Sequence, residues 1–124
     1  MTETTYREAL RQALTDSMRR DPSIVILGEE VGKFGGAYGV TKGMLDEFGE
    51  ARIRDTPISE EVIVGTAVGA AMTGLRPVAE LMYVDFVTLA MDQLVNQAAK
   101  IRYMFGGQIG VPVSYTHLRA HETR

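Results

Sequence analysis

Residues 52–82 read RIRDTPISEEVIVGTAVGAAMTGLRPVAELM, and the order of apolar runs in them decides the fold. Arg52-Ile53-Arg54 is a brief strand running into the turn Asp55-Thr56-Pro57. Ser59 stands where it can cap a helix that continues to about Leu75, and Glu60 and Glu61 occupy the first turn of that helix, against the positive end of its dipole. After the break at Arg76-Pro77, Val78 to Met82 is a second strand. A strand, a helix and a strand in so short a stretch imply a right-handed βαβ crossover and a parallel sheet.

Both flanks continue the alternation. Upstream, Thr5 and Glu8 form a capping box, and Ala9, Leu10, Ala13, Leu14 and Met18 recur at helical spacing. Arg19 and Arg20 suit the negative end of this helix, and Asp21-Pro22 stops it. Ile24-Val25-Ile26-Leu27 is a continuous, mostly β-branched run, as expected of a parallel strand covered on both faces. A glycine-rich loop, Gly28 to Gly39, follows, then a short helix from Thr41 to Phe48 ended by Gly49. Downstream, Asp85 caps the longest predicted helix, Phe86 to about Phe105, with Phe86, Leu89, Ala90, Leu94, Ala98, Ile101 and Phe105 on one face. Gly106-Gly107 ends it, and Val111-Pro112-Val113 begins a fourth strand. The fold class is α/β, a parallel sheet flanked by helices. Ligands of such sheets sit at the carboxyl ends of the strands, which selects Gly28-Glu29-Glu30, Asp55 to Glu60, and Met82 to Phe86.

Composition narrows the chemistry. The chain has 124 residues, 45% hydrophobic and 23% charged, with a net charge of -3 and no cysteine. These values describe one globular core, not a disordered chain or a dedicated nucleic-acid binder. Without cysteine there is no disulfide scaffold, thiol nucleophile or thiolate metal site. His117 and His121, the two histidines, have no companions and make a poor metal site, so any metal is expected to arrive with a cofactor. The longest uncharged run, Val62 to Leu75, is short of the roughly 20 residues a bilayer requires, and Met1-Thr2-Glu3 does not open a signal peptide. A cytoplasmic location is expected.

Three features converge on the selected strand ends. Glu60 follows a proline turn and opens a helix whose body is almost wholly apolar. From spacing alone the favoured reading of Glu60 is a dipole-complementing acid, and that of Glu29 and Glu30 residues of a solvated loop. Met82 and Phe86 read as core packing. Gly65 and Gly69, costing up to ~1 kcal/mol each inside a helix, make a smooth face for close approach, either to the chain's own sheet or to another subunit, while Gly74 is placed for a C-cap. The third feature is that no phosphate-binding glycine motif and no nucleophile elbow occurs.

Taken together, Gly28-Glu29-Glu30-Val31, Phe34-Gly35-Gly36-Ala37-Tyr38, Asp55-Thr56-Pro57-Ile58-Ser59-Glu60, Gly74-Leu75-Arg76-Pro77 and Asp92-Gln93-Leu94-Val95-Asn96-Gln97-Ala98-Ala99-Lys100 closely resemble the β-subunit of the thiamine-diphosphate-dependent first component of 2-oxoacid dehydrogenase complexes, a family that includes pyruvate, branched-chain 2-oxoacid and acetoin dehydrogenases. The resemblance runs in order from about Thr5 to Val113. It implies a pyrimidine-binding domain of the transketolase type. Glu60 would hydrogen-bond the pyrimidine ring nitrogen of thiamine diphosphate and so stabilise the imino tautomer of the exocyclic amine, the base that takes the thiazolium proton. The helix dipole should lower the pKa of this acid and an apolar interface should raise it; the sequence leaves the balance open. By the same matching, Ile58 would offer its backbone carbonyl to the aminopyrimidine, Met82 and Phe86 would line the pyrimidine pocket, Glu29 would be a second carboxylate near the cofactor, and Gly65 and Gly69 would lie at a subunit interface.

The resemblance also accounts for the missing phosphate motif. The α-subunit would hold the diphosphate and its Mg2+, and the cofactor would lie between chains of an α2β2 assembly serving a lipoyl acyltransferase core. Oxidative decarboxylation of a 2-oxoacid with reductive acylation of lipoyl groups follows as the expected activity. Pyruvate is the first choice of substrate, and acetoin the nearest alternative because Tyr83-Val84-Asp85-Phe86 and Ile101 to Gly107 also resemble acetoin dehydrogenase β-subunits. An expectation of another class is a non-catalytic α/β pairing domain that dimerises through the glycine helix. No membrane or nucleic-acid partner is expected. After Val113 the resemblance stops, and residues 114–124 are read as a non-native tail without the pattern of the expected continuation, making 1–113 the front of the domain.

Overall fold

The computed structural model describes residues 4–117. Four strands, β1 (Ile24–Gly28), β2 (Ile53–Asp55), β3 (Arg76–Leu81) and β4 (Ser114–His117), form one sheet in the order β2-β1-β3-β4 with every pairing parallel. Side chains alternate across it. Leu27, Ala79 and Leu81 face a core shared with α3 (Glu60–Met72), where Ile63, Val64, Ala67 and Val68 are buried. Ile24, Ile26 and Val78 face the other core, with Met18 and Leu14 of α1 (Tyr6–Arg20) and Met44, Leu45 and Phe48 of α2 (Met44–Phe48). Chain order reverses between β1 and β3, since the chain leaves β1 for β2 on one side and returns to β3 on the other; this switch point is where open α/β sheets bind ligands.

Local rules explain most element ends. The Thr5–Glu8 capping box is present in both directions. Gly74 (φ +100°) follows the C-cap Thr73, and the Leu75 and Gly74 amides donate to the Ala70 and Ala71 carbonyls, a Schellman end. Gly107 and Gly106 repeat it on Arg102 and Tyr103. Arg52 ties the amino-terminal half together: its guanidinium donates to the carbonyls of Ile24 (3.0 Å), Met18 (2.9 Å) and Asp21 (2.8 Å) and lies 5.1 Å from the centre of the Phe48 ring.

Several expectations are corrected. The short helix begins at Met44, not Thr41, because Gly43 at its N-cap is left-handed (φ +83°) and the Thr41 hydroxyl is spent on the Val31 carbonyl (2.6 Å). Ser59 sits at the N-cap of α3 without a side-chain capping bond, leaving Glu60 and Glu61 to complement the dipole. β3 starts at Arg76 and ends at Leu81, so Pro77 is inside it; Arg76 donates to Ser23 on the β1 side, and the N–H that Pro77 lacks would point toward β4, whose pairing begins only at Val78.

The predicted helix 86–105 is helical but not uniformly α. A 3-10 stretch (Val84–Ala90) leads into a π turn (Gln93–Ala98) and then α4 (Ala99–Met104). Asp85 lies inside the first turn and Tyr83 occupies the cap position. With 3.0 residues per turn at its start, the expected stripe splits: Ala90 and Ile101 are buried, Leu94 and Ala98 pack on the core, and Phe86, Leu89 and Phe105 are exposed. The last strand forms at Ser114–His117, after Val111-Pro112-Val113, and pairs with Val78–Leu81; this strand falls in the stretch for which no strand pattern was expected, while Val111 and Val113 pack on the core before it. His121 lies outside the described residues.

Candidate active site

The carboxyl ends of β1 and β3 and the start of α3 bring together residues far apart in sequence. Glu29 immediately follows β1 and is buried (8% exposed); Glu60 opens α3 and is buried to the same degree (7%). They are close enough to sense each other: the Glu29 pKa is raised, first by burial, then by the charges of Glu60 and Glu30. Two buried acids at a helix N-terminus and a strand end make a centre that favours a ligand bringing hydrogen-bond donors. Glu30, beside them, is the non-glycine residue with positive φ (55°) among the described residues, and its carbonyl receives the Gly36 amide (2.8 Å), which folds the glycine-rich loop back on the strand end.

Because the folded-state pKa of Glu29 lies above its unfolded value, its neutral form carries stability that is present in full below the ordinary carboxylate value and is lost as pH rises through the raised one. Glu29→Gln is therefore expected to be more stable than the parent at pH 8 and no more stable at pH 4. Thermal midpoints at the two pH values check this, and equal midpoints at pH 8 would mean that Glu29 ionises without cost.

Asp55, at the end of β2, accepts the amides of Gly32 (2.5 Å) and Lys33 (3.3 Å) and pins the outgoing arm of the loop. A Cβ at Gly32 would stand 2.9 Å from that carboxylate, and one at Gly36 would stand 2.9 Å from the carboxylate of Glu80. Glu80, on β3 beneath the loop, has its pKa raised by burial. Sequence reading missed Asp55 as a loop anchor and the close approach of Glu80 to the loop; nothing in their spacing marks them, since the partners are 23 residues apart for Gly32 and Asp55 and farther for Gly36 and Glu80.

Of the remaining site residues, Met82 is half-buried just past β3, Phe86 is 40% exposed in the first turns of the 3-10 stretch, and the Ile58 side chain is 81% exposed just before the N-cap of α3. Gly65 meets the Gln93 side chain of the same chain, whose Oε1 is 3.3 Å from the position of a Cβ; Gly69 has nothing within 4 Å. The close approach at Gly65 thus involves the chain's own helical segment, and Gly69 leaves an open face. A groove of about 770 Å³ lies beside the edge strand β2, with Leu45, Ile53, Asp55, Thr56, Pro57 and Val62 in its wall. Among the described residues, no three His, Asp or Glu side chains gather as a metal site and no helix is long and apolar enough to cross a membrane.

Residues 2–120 match the family described as transketolase, pyrimidine binding domain. The chain belongs to this family. It is similar to curated relatives named pyruvate dehydrogenase E1 component subunit beta. The one from Rhizobium meliloti (strain 1021) is 50% identical over 115 residues, 93% of this chain and 25% of the relative. A mitochondrial beta-2 subunit from Oryza sativa subsp. japonica is 51% identical over 113 residues, 91% and 30% of the two chains. The subunit from Rickettsia bellii is 50% identical over 111 residues, 90% and 34%. The chain spans about a quarter to a third of the length of these relatives. The resemblance read from the sequence, to a β-subunit of this family and to its fold, is borne out by these matches.

Proposed function

We propose that this chain supplies the pyrimidine side of a thiamine diphosphate site and that the protein to which it corresponds acts as the β-subunit of a 2-oxoacid dehydrogenase, with pyruvate as substrate. The observation that carries the reading is the pair Glu29 and Glu60, both buried and electrostatically linked at the switch point of a pyrimidine-binding family fold. The donor set fits the group: a carboxylate pair depleted of water suits a ring nitrogen and an exocyclic amine, and half-exposed Met82 and Phe86 suit the flat faces of a heteroaromatic ring. The relatives' names support pyruvate over acetoin and branched-chain 2-oxoacids.

When bound, thiamine diphosphate supplies the electron sink for decarboxylation. The chain's part is to orient it and to manage one proton. Glu60 would hold the pyrimidine ring nitrogen through a hydrogen bond in which its carboxyl gives a proton to that nitrogen, and its burial would strengthen the bond. Glu29, its pKa raised first by burial and then by the charges of Glu60 and Glu30, is favoured in its neutral form, which lowers the charge held beside Glu60. The Ile58 carbonyl receives the exocyclic amine, Phe86 stacks on the ring, and Met82 excludes water beside it. Diphosphate and Mg2+ are left to an α-subunit, and the open faces around Ile58, Gly69 and Phe86 support a site completed by another chain, in an α2β2 assembly that passes its acyl group to a lipoyl acyltransferase core.

Calorimetry with thiamine diphosphate and Mg2+ tests this. Binding is expected only when the full-length β-subunit carrying this sequence is assembled with its α-subunit, and the isolated chain is expected to show neither binding nor turnover. Binding by the isolated chain, or none by the assembly, overturns the reading; the latter is what a non-catalytic pairing domain would give.

A further inference from the structure

Three aromatic rings from three parts of the chain meet at the carboxyl end of the sheet. Tyr38 comes from the glycine-rich loop, Tyr83 stands at the cap position after β3, and Phe86 lies in the first turn of the 3-10 stretch. Tyr83 is in the middle and edge-on to both neighbours: its centroid is 6.3 Å from that of Tyr38 at 79°, and 5.8 Å from that of Phe86 at 85°. These are favourable T-shaped pairs, each worth a measurable increment beyond burial. The Tyr38 pKa is raised, first by the Tyr83 hydroxyl beside it. From the other side the loop is held by Arg11, whose guanidinium donates to the carbonyls of Val40 (3.1 Å) and Gly39. The Tyr38–Tyr83 contact is thus the aromatic fastening of the loop to the end of β3.

We propose that Tyr83 is a positioning residue of the site: wedged between Tyr38 and Phe86, it fixes the Phe86 ring against the face of a bound heteroaromatic ring and fastens the glycine-rich loop over the carboxyl ends of β1 and β3. The ligand half of this inference rests on the function proposed above; the loop half does not. A 3-10 start to the helical segment supports it, since the tighter turn brings Phe86, three residues on, directly over Tyr83, and the Phe86 amide donates to the Tyr83 carbonyl (3.1 Å).

The test uses the full-length subunit carrying this sequence, assembled with its α-subunit. Losing two edge-on ring contacts, Tyr83→Ala is expected to raise the Kd for thiamine diphosphate about tenfold, with kcat at saturating cofactor changed by less than about twofold, and Tyr83→Phe is expected to restore most of the affinity because the ring does the positioning. In the absence of cofactor, amide exchange at Gly36, Gly39 and Thr41 should be faster in Tyr83→Ala than in the parent. Parent-like affinity in Tyr83→Ala overturns the cofactor half, and parent-like exchange overturns the loop half. If the parent assembly itself binds no thiamine diphosphate, the proposed function fails, and the exchange comparison still decides the loop half. Should Tyr83→Ala not assemble, Tyr38→Ala cuts the same fastening from the exposed side and is read by the same exchange measurement, while Tyr83→Leu, which keeps apolar bulk without the ring, reads the cofactor half.

Discussion

Under the function proposed above, replacing Glu60 by alanine in the full-length subunit assembled with its α-subunit should lower turnover of the 2-oxoacid by about a thousandfold, the scale of a lost positioned acid or base, and leave the thermal midpoint almost unchanged. The reason for the first effect is that Glu60 is the buried carboxylate at the start of α3, within electrostatic reach of the buried Glu29, whereas its neighbour Glu61 in the same turn is exposed. The reason for the second is that alanine at this position removes a buried acid and forms no cavity in either core. Glu60→Gln separates two contributions. It keeps the size of the side chain and a hydrogen bond to the ring, so cofactor affinity should stay within about fivefold of the parent, but an amide cannot hold the transferred proton, and turnover should fall as far as in Glu60→Ala. Turnover within tenfold of the parent in either variant would remove Glu60 from the chemistry.

The second large effect is structural. Arg52→Ala deprives three backbone carbonyls, of Met18, Asp21 and Ile24, of one charged donor and uncovers the Phe48 ring. Two of those carbonyls belong to the carboxyl end of α1, where a cation also meets the negative end of the dipole. Bonds to a charged donor contribute more than neutral ones, and with part of the loss recovered by water the expected cost is about 3 kcal/mol. Urea denaturation reads this as a lower midpoint at unchanged slope. Arg52→Lys should recover little, since an ammonium cannot present the planar fork that spans three acceptors. Arg54, whose Nε reaches only the Ala51 carbonyl two residues upstream of Ile53, is the control: Arg54→Ala should cost less than about 0.5 kcal/mol.

Glu60 and Arg52 differ in how far the sequence alone reveals them. Glu60 was legible twice over, as a first-turn acid after a proline turn and through the resemblance of Asp55 to Glu60. Arg52 was legible only as an end of a short strand; its three acceptors lie some 30 residues away in the chain, and no local pattern points to them. Gly65 lies between. The smooth helix face was evident, but whether Gln93 of the same chain or another subunit would press on it depended on where the π turn at Gln93–Ala98 placed that side chain.

By itself, then, the sequence determined the alternation of strands and helices, the Thr5–Glu8 cap, the glycine ends at Gly74 and Gly106, the family, and which strand ends carry polar chemistry. Those follow from interactions within a few residues: apolar periodicity, cap hydrogen bonds and the left-handed backbone that glycine tolerates. Tertiary structure alone decided that Pro77 could sit inside β3, that residues 84–104 change pitch from 3-10 through π to α, that a strand forms at Ser114–His117, and that Glu29 and Glu60 share one buried place. Each of these depends on what a distant element offers. Pro77 needs a side on which β4 has not yet begun, the helical segment changes pitch while Ala90, Leu94 and Ala98 stay on one core, and the two acids meet because a parallel sheet brings all its strand ends to the same edge.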